Sequence, residues 1–166
     1  PAGRRIAVRA RAGRPPGLFW LGGFKSDMGG TKAQALDAWA AEQGRACIRF
    51  DYSGHGESGG AFEDGTIGRW HEESLAVFDA FCEGPQIVIG SSMGGWMALL
   101  LARALAKRRG AASRATLAGL VLIWLGRTAD IKVALRSPRM LAMATLTAVL
   151  ITINWGLYAW AIAVDR

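Results

Sequence analysis

The chain has 166 residues, 51% of them hydrophobic, and a formal net charge of +7, which is enough for one domain with a real core. Its positive side chains do not make one face: Arg4, Arg5, Arg9, Arg11 and Arg14 lie near the start, and Lys107, Arg108 and Arg109 close an expected helix, where cations favour the dipole. With no reading motif or interleaved aromatics among them, a nucleic-acid partner is not expected.

Residues 5–9 alternate in polarity and read as an exposed strand. Arg14-Pro15-Pro16-Gly17 reads as a turn, and residues 18–21 as a short buried strand ending at Gly22-Gly23. Residues 32–43 predict a helix, with Ala35, Leu36, Trp39 and Ala40 on one face and Gly44 as its stop. A strand over 46–50 leads into a glycine-rich loop over 51–60. Thr66 caps a helix reaching Phe81, with Ile67, Trp70, Phe78 and Phe81 at helical spacing. A strand over 86–91, a helix over 93–109 and a strand over 117–123 follow. Alternating strands and helices predict an α/β domain with a mostly parallel sheet. Cys47 and Cys82 lack C-x-x-C spacing and sit in apolar surroundings, so both are expected as buried free thiols in a reducing compartment. Residues 1–16 are arginine-rich without an apolar core, so no secretory signal is expected there.

The pattern changes after Ile123. Residues 140–164 carry no charged side chain, and about 20 such residues cross a bilayer core. Lys132, Arg136 and Arg139 precede them, and Trp155, Tyr158 and Trp160 sit towards one end, as in an interfacial belt. The expected organisation is a domain over 1–123, a basic linker over 124–139, and an apolar, membrane-spanning helix over 140–164. The positive flank puts the preceding domain on the cytoplasmic side, anchored at the inner membrane. Asn154 inside the span reads as a helix–helix contact.

The chemistry-bearing motif is Gly90-Ser91-Ser92-Met93-Gly94, placed after a buried-strand pattern and before a helix. Strand, G-x-S-x-G, helix is a nucleophile elbow: the serine stands on a sharp turn, and small residues two before and two after it let strand and helix pack. Ser92 is then the nucleophile, and the Met93 N–H is half of an oxyanion hole. The plain alternative is a strand-to-helix turn serine.

Residues 17–123 resemble the α/β-hydrolases, in particular the palmitoyl-protein thioesterase and acyl-glucuronide esterase branch and its bacterial relatives. The likeness is carried by Trp20-Leu21-Gly22-Gly23-Phe24-Lys25-Ser26-Asp27-Met28, by Arg49-Phe50-Asp51-Tyr52-Ser53-Gly54-His55-Gly56-Glu57-Ser58-Gly59, by Asp64-Gly65-Thr66-Ile67 with Trp70, and by the elbow. The resemblance implies an esterase or thioesterase acting on a small acyl ester or thioester through an acyl-serine, without a cofactor or metal. It assigns the second oxyanion donor to the Phe24 N–H. It also implies an acid and a histidine after later strands. Yet His55 and His71 both precede Ser92, and no histidine follows it. The tail, over 143–158, resembles instead one membrane stretch of a chloramphenicol-sensitivity-type drug/metabolite permease.

The sequence-level fold is therefore a truncated α/β-hydrolase, a mostly parallel sheet with flanking helices, followed by the apolar helix. Hydrolysis is expected to be weak or absent because the triad is incomplete. The alternative is a non-catalytic membrane-anchored remnant or chimeric fusion, with a partner covering the open sheet edge. His55 is expected to serve the loop, with its glycines making the turns, rather than the chemistry. His71 is expected half-buried on its helix, and Glu72 and Glu73 in solvent at a helix start; Asp130 follows the last expected strand by seven residues, where an acid could stand, but with no histidine to orient it carries no role. Gly29-Gly30-Thr31-Lys32 has Thr and Lys in the wrong order for a phosphate-binding loop.

Overall fold

A computed structural model describes residues 3–108 and 114–123. The expected linker, the apolar segment 140–164, Asn154 and Asp130 lie outside these residues. Among the described residues no helix is long and apolar enough to cross a membrane.

Among the described residues five strands make one sheet: β1 (Val8–Arg11), β2 (Arg14–Leu21), β3 (Arg45–Phe50), β4 (Gly84–Ser91) and β5 (Ala115–Ile123). Three α-helices accompany them there: α1 (Thr31–Glu42), α2 (Ile67–Phe81) and α3 (Met93–Lys107). The spatial order is β1-β3-β2-β4-β5. Only β1 runs antiparallel; β2, β3, β4 and β5 are parallel, so their C-terminal ends share one edge. Among the described residues β5 pairs only with β4, and Leu117 and Leu120 on it are exposed.

Side chains alternate across a strand, and that alternation sorts the helices. Phe19 and Leu21 of β2, Phe50 of β3 and Val88 of β4 pack with Phe78 of α2 and with Met97 and Leu101 of α3. The Phe19 ring meets Phe78 edge-on at 5.3 Å. The other face receives α1. There Asp37 of α1 takes Arg11 of β1 through two bonds of 2.8 Å and lies 3.0 Å from Arg49 of β3. The Arg11 hydrogen bonds hold the Asp37 carboxyl below the usual carboxylate range, against the opposing effect of burial.

Several expectations need correction. The first strand is Val8–Arg11, not 5–9, because pairing with β3 begins at Val8 opposite Phe50. Arg14 to Gly17 are not a turn between strands. They begin β2, which meets β3 at Arg14 opposite Arg45 and again at Leu18 opposite Cys47, with an irregularity between. Phe81 is exposed although it shares the helical spacing of Trp70 and Phe78; Glu73, Ser74 and Val77 complete the buried side of α2. Glu73 is not in solvent but wholly buried. Thr66 caps α2 as expected, its hydroxyl accepting the Arg69 N–H at 3.2 Å. His71 is half-buried. Cys47 and Cys82 are buried and free, and burial pushes both thiols up to about 12.

The early arginines do not form a free cationic surface. Arg4 binds Glu72 and Glu73, Arg9 binds Glu57, and Arg11 binds Asp37.

Candidate active site

Ser92 lies where β4 becomes α3, at the edge where the parallel strands end. Its backbone has φ +54° and ψ −121°, a conformation that costs an L residue about 1–3 kcal/mol and persists only where the surroundings over-determine it. The surroundings here are backbone. The Ser92 N–H donates to the Ile123 carbonyl at 2.9 Å, which ties the bend to β5. The Ser92 carbonyl accepts the Gly95 N–H at 2.8 Å and opens the helix. The side chain is exposed.

Close approach explains the flanking glycines. A Cβ on Gly90 would stand 2.2 Å from the Gly94 carbonyl oxygen, and one on Gly94 only 2.0 Å from that of Leu21. The start of α3 is thus pressed against the end of β2. That contact brings the loop after β2 to the serine: a Cβ on Gly23 would lie 3.2 Å from the Ser91 carbonyl oxygen and 3.4 Å from the Ser92 Cβ.

That loop is a tight turn. The Gly23 carbonyl accepts from the Ser26 hydroxyl at 2.7 Å and from the Ser26 N–H at 3.2 Å. Lys25 has φ +56°. Phe24 projects outward, 57% exposed, its ring edge-on to Phe62 at 5.1 Å. The two segments singled out in the sequence, Ser92-Met93 and the Gly23-Phe24 turn, therefore meet at one corner of the sheet.

The glycine-rich loop after β3 supports this corner through buried polar groups. Asp51, 2% exposed, accepts the Met28 N–H at 2.6 Å and the Glu57 N–H at 2.8 Å. Arg49 donates to the Met28 carbonyl at 2.8 Å. Glu73 accepts the Ser53 N–H at 2.9 Å, and the Trp70 indole donates to the Ser53 carbonyl at 3.1 Å. Tyr52 is fully enclosed, and burial raises its hydroxyl far out of the range of acid–base work. His55 is buried beneath the same corner with both ring nitrogens on backbone partners: Nδ1 is 3.2 Å from the Ser53 carbonyl, and Nε2 accepts the Lys25 N–H at 3.3 Å. Neither nitrogen is free to take a proton from Ser92. In sequence these supports show no role beyond the loop itself. The one available signal was polar Arg49, Asp51, Ser53 and His55 recurring at every second position out of an apolar strand.

A sequence model of the alpha/beta hydrolase family matches residues 13–165. The chain belongs to that family. Among its relatives, the human palmitoyl-protein thioesterase ABHD10, mitochondrial, is 45% identical over 94 residues, 57% of this chain and 31% of the relative. A crystal structure of a protein of Agrobacterium vitis S4, described as a hydrolase, superposes with a TM-score of 0.70 at 49% identity, covering 84% of this chain and 54% of the other. This alpha/beta hydrolase chain thus spans about a third to a half of the length of the relatives it matches. Over 44 residues, 26% of its length, it is also 46% identical to protein RarD of Streptomyces exfoliatus.

Proposed function

We propose that the chain is a serine hydrolase by descent, directed at carboxylic esters or thioesters. The observation that carries this reading is the strained, exposed Ser92 held between β4 and α3 with the Gly23–Phe24 loop against it. In the proposed step, the Ser92 Oγ attacks the acyl carbonyl carbon. The carbonyl electron pair moves to oxygen, which the Met93 and Phe24 N–H groups receive. The pair then returns to re-form the C=O, the C–O or C–S bond breaks, and the alcohol or thiol departs with the proton that Ser92 gave up to solvent, leaving an acyl-serine for water to hydrolyse. Each oxyanion donor in such a site is worth about 2.7–4 kcal/mol of barrier.

The serine proton needs an acceptor, and in this fold the base is a histidine later in the chain than the serine. These 166 residues contain none after Ser92, and His55 is committed to backbone. Turnover by this polypeptide is therefore expected near the residual level that oxyanion stabilisation and binding supply alone, about 10³–10⁴ over water. Incubation with a fluorophosphonate, read by intact mass and peptide mapping, is expected to label Ser92 slowly, with Ser92→Ala unlabelled. Absence of label at Ser92 would sink the reading. Ordinary esterase rates on p-nitrophenyl esters, lost in Ser92→Ala, would reveal a base elsewhere in the chain.

A second component is favoured by the uncharged run over 140–164, longer than the roughly 20 residues that cross a bilayer core. We infer that this run anchors the hydrolase segment at a membrane, which is the membrane-bound or fused alternative in its simplest form. Carbonate-resistant membrane association of the full chain, abolished by deleting residues 140–164, is the expected result. Release of the full chain by carbonate would refute it.

A further inference from the structure

We propose that His55 is a positioning residue for the oxyanion loop, an inference that rests on the reading of Ser92 and Phe24 given above. The imidazole is 5% exposed and walled by the rings of Tyr52 at 5.6 Å, Phe62 at 5.1 Å and Trp70 at 5.1 Å. A carbonyl can only accept and a backbone N–H can only donate. Facing the Ser53 carbonyl at 3.2 Å and the Lys25 N–H at 3.3 Å, the ring therefore carries its proton on Nδ1 and a bare lone pair on Nε2.

That lone pair acts on the turn that presents Phe24. In a planar trans peptide the N–H points opposite to the preceding C=O. The Gly23 carbonyl is drawn into the turn by Ser26, so the Phe24 N–H on the same peptide plane points out of it. Ser26 closes the turn from within but does not tie it to the loop after β3. The bond from Lys25 to His55 crosses to the loop after β3, which Glu73 and Trp70 pin in turn. Lys25 keeps its left-handed backbone, with φ +56°, under that hold. The aromatic walls keep water from competing for Nε2, so a weak neutral bond is enough to set the tilt.

The test separates shape from hydrogen bonding. His55→Phe fills the aromatic cage and removes the acceptor; His55→Gln keeps an acceptor near the place of Nε2. Ser92 phosphonylation by a fluorophosphonate is expected to slow about 10- to 100-fold in His55→Phe and to stay within about 3-fold of the parent in His55→Gln. The Lys25 amide proton should move upfield in His55→Phe alone. In the unsubstituted chain, nitrogen-15 spectra of His55 should show a protonated Nδ1 and a bare Nε2, a measurement independent of how well the variants fold. Equal labelling of His55→Phe and the parent, equal losses in both variants, or a protonated Nε2 would each overturn the proposal. No labelling of the parent chain would overturn the Ser92 reading first and this one with it.

Discussion

Gly94→Ala is expected to destabilise the domain by about 3 kcal/mol or more, lowering the melting temperature by roughly 10–20 °C. The added methyl would stand 2.0 Å from the Leu21 carbonyl oxygen and 2.6 Å from both the Leu21 carbonyl carbon and the Gly22 carbonyl oxygen. None of these is the end of a flexible side chain. Relief needs α3 to withdraw from β2 by about an ångström, and close-packed interiors yield poorly to such shifts. The same withdrawal would part Ser92 from the Gly23–Phe24 loop, so slower phosphonylation of any folded fraction is part of the expectation. Gly95→Ala is the control. A Cβ there meets nothing closer than 3.8 Å, and alanine is the better helix former by about 0.8–1.0 kcal/mol. Thermal melts of the two variants side by side decide the matter. Equal stability would mean that the contact of α3 with β2 is soft and that close approach does not require glycine at 94.

The contrast between these neighbours shows what the sequence carries and what it hides. The elbow was legible because its requirement is local: one apolar strand, one turn, one helix, with glycines two residues either side of the serine. Which neighbouring strand those glycines admit is a matter of sheet order, and β2 lies beside β4 although 62 residues separate Leu21 from Gly84, a pairing that no periodicity displays. The helices α1, α2 and α3 were legible for the same local reason: Gly44 stops the first, Thr66 caps the second, and basic residues close the third. Residues Arg14 to Gly17 were not, because two prolines read as a turn until pairing on either side draws them into β2. His55 escaped for a different cause. A histidine without a sequence-near carboxylate or metal partner offers only composition, and its partners, the Lys25 N–H and the Ser53 carbonyl, are backbone groups that sequence does not display. The residues after Ser92 are the opposite case: that these 166 hold no histidine there is read by counting alone.

Glu73→Ala is the second large expected effect, about 3 kcal/mol of destabilisation. Two adjacent glutamates at a helix start suggest solvent, and Glu72 does lie outside, half exposed, with Arg4 across it. One step further round the helix is a turn of about 100°, and it carries Glu73 under the loop after β3. There its carboxylate accepts the Arg4 Nε at 2.6 Å with one oxygen and the Ser53 N–H at 2.9 Å with the other. Truncation strands a buried backbone donor, leaves Arg4 with Glu72 alone, and opens a cavity beside Tyr52. A buried donor left unmatched costs about 1–3 kcal/mol by itself, and the lost charge pairing and packing add to it. Glu73→Gln preserves the volume and one acceptor, so about half the loss is expected. Because Ser53 also receives Trp70 and His55 on its carbonyl, the damage should reach the corner that carries Ser92: amide exchange over residues 51–60 should quicken in Glu73→Ala, and Ser92 labelling should slow with it. Denaturant melts within about 0.5 kcal/mol of the parent, or an unaltered exchange pattern, would show that the loop holds its shape without this carboxylate.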